Sequence, residues 1–310
     1  MKRHSLAIIK VGLAVTLLAI TLAPEWTSAR QSPLASRIVA TQPSAFRPLT
    51  AVHAGAGNMA FAGLLNRGAI GPHFNFLHRG EIPVGSGIGH HFHNSVEEMF
   101  VILNGEADFT VNGRTARLKG PVAVVCRMGD SHAILNTGSE ALQWMNFQAS
   151  AVAGVSDAFD LGDDRVGAMV DRVPTFHSAM IDRTLIRPAG ARGRGAAPVP
   201  AGTMSRRLFG PTVFRSAWAY VDHVLIAPGA TSPEIGHESV GEAYYVLAGS
   251  GTVKVGTETA PVGRWNAIPV SPGETSSFTN SGSDPLELLV VAVARDMETK
   301  TAVMRGTARP

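Results

Sequence analysis

The stretch Gly85-Ser-Gly-Ile-Gly-His-His-Phe-His-Asn-Ser-Val-Glu-Glu98 decides how the rest of this chain is read. In extended backbone successive side chains point to opposite faces, so His91 and His93 share one face and His90 takes the other. Glu98 lies an odd step beyond His93, and one straight strand would turn it away from both. A turn near Asn94-Ser95 resolves this by carrying Glu98 onto the next strand, pointing back inward in phase with Phe100 and Ile102. His132 arrives from a distant strand, after Met128-Gly129-Asp130. Three imidazoles and a carboxylate converging in an interior are costly unless something pairs with them, and a divalent cation does so. Nitrogen and oxygen donors suit iron, manganese, nickel, copper or zinc, and the Irving–Williams order does not choose among them.

Around this stretch the chain repeats. At an offset of 144 residues Gly85 maps to Gly229, Glu98 to Glu242, Gly105 to Gly249 and Gly129 to Gly273. At the same offset Asn136-Thr137-Gly138-Ser139-Glu140 maps to Asn280-Ser281-Gly282-Ser283-Asp284, and Phe74-x-Phe76 to Trp218-x-Tyr220. One register shared this widely means two copies of one domain. Within each copy, short apolar runs are separated by tight turns. Glu98–Leu103 precedes Asn104-Gly105, Ala107–Val111 precedes Asn112-Gly113, and Arg114–Lys119 returns. Asn-Gly between apolar runs favours hairpins, and strands at this spacing imply an all-β sandwich or barrel.

The motif spacing brings the chain close to a known family. Gly85-x5-His91-x-His93-x4-Glu98-x6-Gly105 matches the first cupin motif throughout. Gly120…Gly129-x2-His132-x3-Asn136 resembles the second, with Arg127 where the family has proline and one extra residue after Gly120. The chain therefore resembles a bicupin over roughly residues 45–300, with a layout similar to quercetinase-type members. The resemblance implies two jelly-roll barrels in tandem, over 45–155 and 206–300, joined by a linker over 156–205. It also implies one divalent metal ion held by His91, His93, Glu98 and His132. His90 and Glu97 are expected to face outward, with supporting roles open to them.

Carried across the offset, Ile235 stands where His91 does and Ser276 where His132 does, leaving His237 and Glu242 of the four. Two ligands rarely hold a transition metal, so the second barrel is expected to be metal-free. It would serve packing or an oligomer interface, or use His237, Glu242 and Tyr244 to line a ligand pocket. The lone Cys126 reads as a buried, inert thiol unless it faces the metal. Trp144, Asn146 and Gln148 share one face of a probable strand, which either lines a polar pocket or lies on the surface. His73, His78 and Arg79 lie on another such strand. In the linker, Asp157–Arg172 reads as a short helix or ordered loop, and Pro188–Gly202 as a mobile surface loop.

The N-terminus has the layout of a secretory signal: Lys2-Arg3, an apolar run from Leu6 to Ala23 interrupted by Lys10, then Thr27-Ser28-Ala29. Cleavage after Ala29 would give an exported, periplasmic or extracellular protein without a membrane anchor. Losing Lys2, Arg3, Lys10 and Glu25 leaves 24 basic against 23 acidic residues, a balance that does not argue for nucleic acid. With one cysteine there is no internal disulfide, so stability must come from packed cores. The expected function is that of a mononuclear metal enzyme on a small oxygen-rich substrate, with dioxygenase chemistry leading. A non-redox lyase, decarboxylase or isomerase is the alternative, followed by metal-dependent ligand binding without turnover. No catalytic residue beyond the ligands is assigned, and a homo-oligomer is compatible with all three.

Overall fold

The computed structural model of the chain describes residues 32–188 and 201–307. The leader expected over 1–29, and nearly all of the loop expected over 188–202, lie outside the described residues. In chain order the strands begin with β1 (Val39–Ala40), β2 (Arg47–Thr50), β3 (Asn58–Leu65), β4 (Phe74–Ile82), β5 (Gly87–Phe92) and β6 (Val96–Ile102). They continue with β7 (Glu106–Val111), β8 (Arg114–Lys119), β9 (Val122–Cys126), β10 (Ser131–Asn136), β11 (Leu142–Ser150), β12 (Phe159–Asp160), β13 (Val170–Asp171) and β14 (Ser178–Met180). The second half holds β15 (Arg187–Pro188), β16 (Thr203–Phe209), β17 (Trp218–Ile226), β18 (Ile235–Gly236), β19 (Val240–Ala248) and β20 (Ser250–Val255). It ends with β21 (Glu258–Gly263), β22 (Asn266–Val270), β23 (Thr275–Thr279), β24 (Leu286–Ala294) and a helix, α1 (Met297–Arg305). No described helix is long and apolar enough to cross a membrane.

The first barrel is a seven-stranded sheet, β14-β9-β6-β11-β4-β3-β2, facing a six-stranded one, β12-β5-β10-β7-β8-β13. In the second, β1-β22-β19-β24-β17-β16-β15 faces β18-β23-β20-β21. The sequence repeat is kept to the residue: β4, β7, β8, β9 and β11 recur as β17, β20, β21, β22 and β24, both ends displaced by 144. The repeated glycines mark turns that need a left-handed backbone, with φ of +73° and +74° at Gly85 and Gly229, and +79° and +86° at Gly129 and Gly273. The repeated asparagines clamp equivalent corners. Asn136 Nδ2 donates to the carbonyls of Ile82 (2.8 Å) and Glu140 (2.9 Å), as Asn280 Nδ2 does to those of Ile226 and Asp284, both at 2.8 Å.

Among the described residues three apolar cores result. Phe100, Ile102, Val122, Val124 and Trp144 fill the first barrel, and Tyr244, Val246, Ile268, Phe278 and Val290 the second. The alternate residues of the same strands, such as Met99, Val101, Met145 and Phe147, pack with Trp218, Tyr245, Leu289 and Val291 in a third core between the barrels. Both faces of the two larger sheets are thus covered, which is why their central strands are apolar almost without alternation. Each such side chain contributes about 1.5–3 kcal/mol when fully buried.

Two segments depart from the expected boundaries. Residues 156–205 do not simply bridge the barrels. β12 pairs with β5, β13 with β8 and β14 with β9, all in the first barrel, and no helix forms over 157–172. The N-terminal residues cross the other way: β1 pairs with β22, and Leu34 is buried in the second barrel's core. Strand edges that hairpins alone would leave open are covered by these segments.

Candidate metal centre

His91 and His93 leave β5 on its inward face, and β10 runs antiparallel beside it with His132 directly opposite His91. The register between β10 and β5 shifts just after His132, a bulge at the site itself. Glu98 sits on the facing sheet, opposite Cys126 on β9 and Gln148 on β11. The structure therefore brings together the four residues singled out in the sequence. All are at least 96% buried, and their candidate ligand atoms lie within 4.8 Å of one another. Among the described residues, this is the one group of His, Cys, Asp and Glu side chains that converges in this way.

Local backbone holds each donor. The Nδ1–H of His91 donates to the carbonyl of Gly89 at 2.8 Å, and that of His93 to the carbonyl of Asp157. These bonds fix the tautomers and leave the Nε2 lone pairs facing inward. The two motifs are tied together by Gly129 N–H donating to the His93 carbonyl at 2.7 Å. Arg127, standing where the family has proline, pairs its Nε with Asp130 Oδ2 at 3.1 Å and so braces the turn that delivers His132.

Burial and the neighbouring imidazole of His132 push the His91 pKa down to about 2, which keeps it neutral and able to ligate. Burial also opposes the charge on Glu98, but His93 and His132 outweigh it and hold the carboxyl well below its usual range. For His93 the balance runs upward, because Glu98 and the Asp157 carbonyl outweigh burial. His132 Nε2 lies 3.1 Å from Glu98 Oε2, and His93 Nε2 lies 3.5 Å from it with no hydrogen-bond partner of its own. A buried nitrogen lone pair without a partner, beside two imidazoles and a carboxylate, fits a divalent cation.

Behind the donors runs a chain of amides. Gln148 Nε2 donates to Glu98 Oε1 at 2.8 Å, while its Oε1 accepts from Asn75 Nδ2 (2.9 Å) and Ser156 Oγ (3.0 Å). Gln148 thus supports a ligand, and Trp144, Asn146 and Gln148 all line a cavity of about 390 Å3 that opens onto His91, His93 and Glu98. These three side chains therefore lie in a pocket and not on the surface. Phe61, Phe76, Phe100 and Met59 complete its mainly apolar wall, and among the described residues no lysine or arginine lines it. Trp144 Nε1 and Asn146 Oδ1 are buried there without partners. His78 stacks on Phe76 at 3.8 Å, and its pKa is lowered to about 4 by burial, against a smaller upward pull from Glu98.

The other sequence candidates are not among the donors. His90 faces away, bonded to Ser131 Oγ at 2.8 Å, and His73 Nδ1 bonds the Ser150 carbonyl. Arg79 points to the opposite side of its sheet, toward the cleft between the barrels. Cys126 belongs to the first barrel's interior core, and burial, with Glu98 and Asp130 nearby, raises its pKa well above the normal thiol range, so it stays protonated and inert. Glu97 does face outward but is fully buried, because outward here means against the second barrel. Its carboxylate accepts the backbone N–H groups of Arg215 and Ser216 and the Ser216 hydroxyl.

Three contributors left no sequence signal. His53, from a loop 38 residues before His91, stacks on that ring at 3.8 Å, and its Nδ1 lies 2.5 Å from Asp160 Oδ1. The loop approaches so closely that a Cβ on Gly89 would meet the His53 carbonyl at 2.0 Å, so β5 needs glycine there. Asp157 and Asp160 come from the segment read as linker, and Asp157 Oδ1 also caps the N–H groups of Asn94 and Ser95 at the turn between β5 and β6.

In the second barrel the corresponding residues bond to one another. Tyr220 OH donates to Glu242 Oε1 and Tyr244 OH to Glu242 Oε2, both at 2.5 Å. His237 Nε2 lies 3.0 Å from Tyr220 OH, and Ser276 Oγ lies 3.1 Å from Tyr244 OH.

The cupin domain family matches residues 78–147 and 222–292. The oxalate-binding protein of Thermotoga maritima is 33% identical over 91 residues, covering 29% of this chain and 75% of that protein. Among solved structures, an oxalate decarboxylase from Lactobacillus farciminis in complex with formate superposes with a TM-score of 0.59 at 13% identity, covering 83% of this chain and 86% of the other. A salicylate 1,2-dioxygenase from Pseudoaminobacter salicylatoxidans with gentisate gives a TM-score of 0.58 at 15% identity, covering 80% and 76%.

Proposed function

Since the chain belongs to the cupin family and carries two cupin domains, we propose that its first barrel is a mononuclear metal-dependent dioxygenase site for a small aromatic substrate with adjacent oxygens. One observation carries this reading: the cavity beside His91, His93 and Glu98 is walled largely by aromatic and aliphatic side chains, and among the described residues no lysine or arginine lines it. A polar dianion such as oxalate would find no counter-charge on that wall, whereas a ring bearing a catechol, hydroxy-carbonyl or hydroxy-carboxylate group would bury its apolar body there.

His91, His93, Glu98 and His132 would hold the ion, and once bound it would supply Lewis-acid or one-electron chemistry to chelating oxygens. The chain's own residues do the rest. Phe61, Phe76 and Phe100 exclude water and present flat faces to a ring. Trp144 Nε1 offers a hydrogen-bond donor and Asn146 Oδ1 an acceptor, each unpartnered without substrate. Gln148 holds Glu98 in place, and neutral His78 adds an imidazole that does not repel the ion.

The oxalate-binding relative supports a second reading, in which the same donors bind or decarboxylate a small dicarboxylate. Oxygen distinguishes the two. The iron(II)- or manganese(II)-loaded protein is expected to consume dioxygen with catechol, gentisate or a flavonol and to leave oxalate unchanged. Release of carbon dioxide from oxalate without oxygen uptake would instead favour the second reading. Export is part of the proposal, and N-terminal sequencing of the secreted protein is expected to begin at Arg30; a start at Met1 would refute it.

A further inference from the structure

We propose that the cleft between the two barrels is a second ligand site, for a small planar monocarboxylate. It does not rest on the metal reading. The cleft encloses about 470 Å3, is walled by both large sheets and the N-terminal arm at Thr41, and shares no lining residue with the metal cavity.

Arg79 supplies the first argument. It is 3% exposed, yet among the described residues its guanidinium bonds only to uncharged oxygens, the carbonyls of Gly80 and Trp144 and Oε1 of Gln143, and its Nε has no partner there. Among the described residues no carboxylate forms an ion pair with it. Glu81 accepts the Gln143 amide, and Glu287 is occupied by Arg183 and His223. A buried cation held by neutral oxygens alone keeps its charge largely uncompensated, and an anion beside it would be strongly favoured.

The opposite wall supplies the second. Trp265 has φ of +76°, a left-handed conformation that a bulky residue adopts only under constraint from its surroundings. The Arg264 guanidinium lies 4.8 Å from its ring centroid and has no ion-pair partner among the described residues. In the first barrel the corresponding pair is Gly120-Pro121, so this flat aromatic wall with its cation is particular to one side of the cleft. Among the described residues, three guanidinium groups (Arg79, Arg183, Arg264) face two carboxylates (Glu81, Glu287), and that surplus of one positive charge suits a monoanion better than a doubly charged phosphate. Trp265, Leu103 and Leu247 offer flat and apolar surface to a ring.

Benzoate is the probe, titrated calorimetrically into the full chain carrying His91→Ala, so that the metal cavity cannot report. Saturable binding is expected, weakened at least about tenfold by Arg264→Ala and by Trp265→Ala. Arg264 is exposed, so its variant carries little risk to folding, and circular dichroism and gel filtration qualify the Trp265 variant. Inorganic phosphate and neutral benzyl alcohol are expected to bind at least about tenfold more weakly than benzoate. The proposal is overturned by no detectable benzoate binding at about 20 mM, by binding that both variants leave unchanged, or by phosphate or benzyl alcohol binding as well as benzoate.

Discussion

In the first barrel Glu98 faces His93, His132 and Gln148, and at the same place in the second barrel Glu242 faces Tyr220 and Tyr244. Both carboxylates are 4% exposed, and neither can stay there without partners. The 144-residue offset makes the exchange legible one residue at a time. Losing His91 and His132 to Ile235 and Ser276 accompanies a change of Phe76 and Phe100 to Tyr220 and Tyr244. Two phenol hydroxyls thus arrive where two imidazoles have gone. Both tyrosines have their pKa raised well above the usual value, first by burial and then by Glu242, so they remain protonated donors. A carboxylate that accepts two short phenolic hydrogen bonds satisfies itself. One beside an unpartnered imidazole nitrogen is arranged for something more.

The two barrels should differ most at the ligands. His91→Ala is expected to lower metal affinity by about three orders of magnitude or more, while His237→Ala leaves it unchanged, as measured by competition with a chromogenic chelator. A smaller loss of about 10–100-fold is expected for Gln148→Leu, because Glu98 loses the amide that orients it. In the second barrel Tyr244→Phe should leave metal content alone and cost about 1–3 kcal/mol in denaturant unfolding, since one hydrogen bond to a buried carboxylate is lost. Metal loss in that variant would contradict the separation of the two sites.

The smallest effect concerns acid stability. Burial raises the Glu287 pKa, but its bonds to His223 and Arg183 outweigh this and leave it below 4.5. Its contribution is therefore fully present above about pH 4.5 and is lost as pH falls through the depressed folded value. Glu287→Gln should flatten the stability profile in that acid range and leave metal binding unchanged; an unaltered profile would remove Glu287 from the account.

The offset, the strand phases and the four donors were readable because each depends on local periodicity, which survives in a single sequence. His91 and His93 alternate on one strand, and Asn94-Ser95 marks the turn that returns Glu98 inward. What escaped depends on long-range packing. Glu97 reads as outward by parity, but nothing local says that outward is the face of another barrel. His53 reaches His91 through a loop whose backbone is left-handed at Ala51, His53 and Ala54, residues with no sequence preference for it. The strand pairing of Phe159–Asp160 with β5 involves only two residues, too few for a periodic signal.

Elemental analysis of the purified protein counts the metal that the first barrel holds. About one equivalent of divalent transition metal per chain is expected. That metal should be absent in Glu98→Gln and retained in Glu242→Gln. Two equivalents in the parent protein, or metal that persists in Glu98→Gln and disappears in Glu242→Gln, would rule out a single metal site in the first barrel.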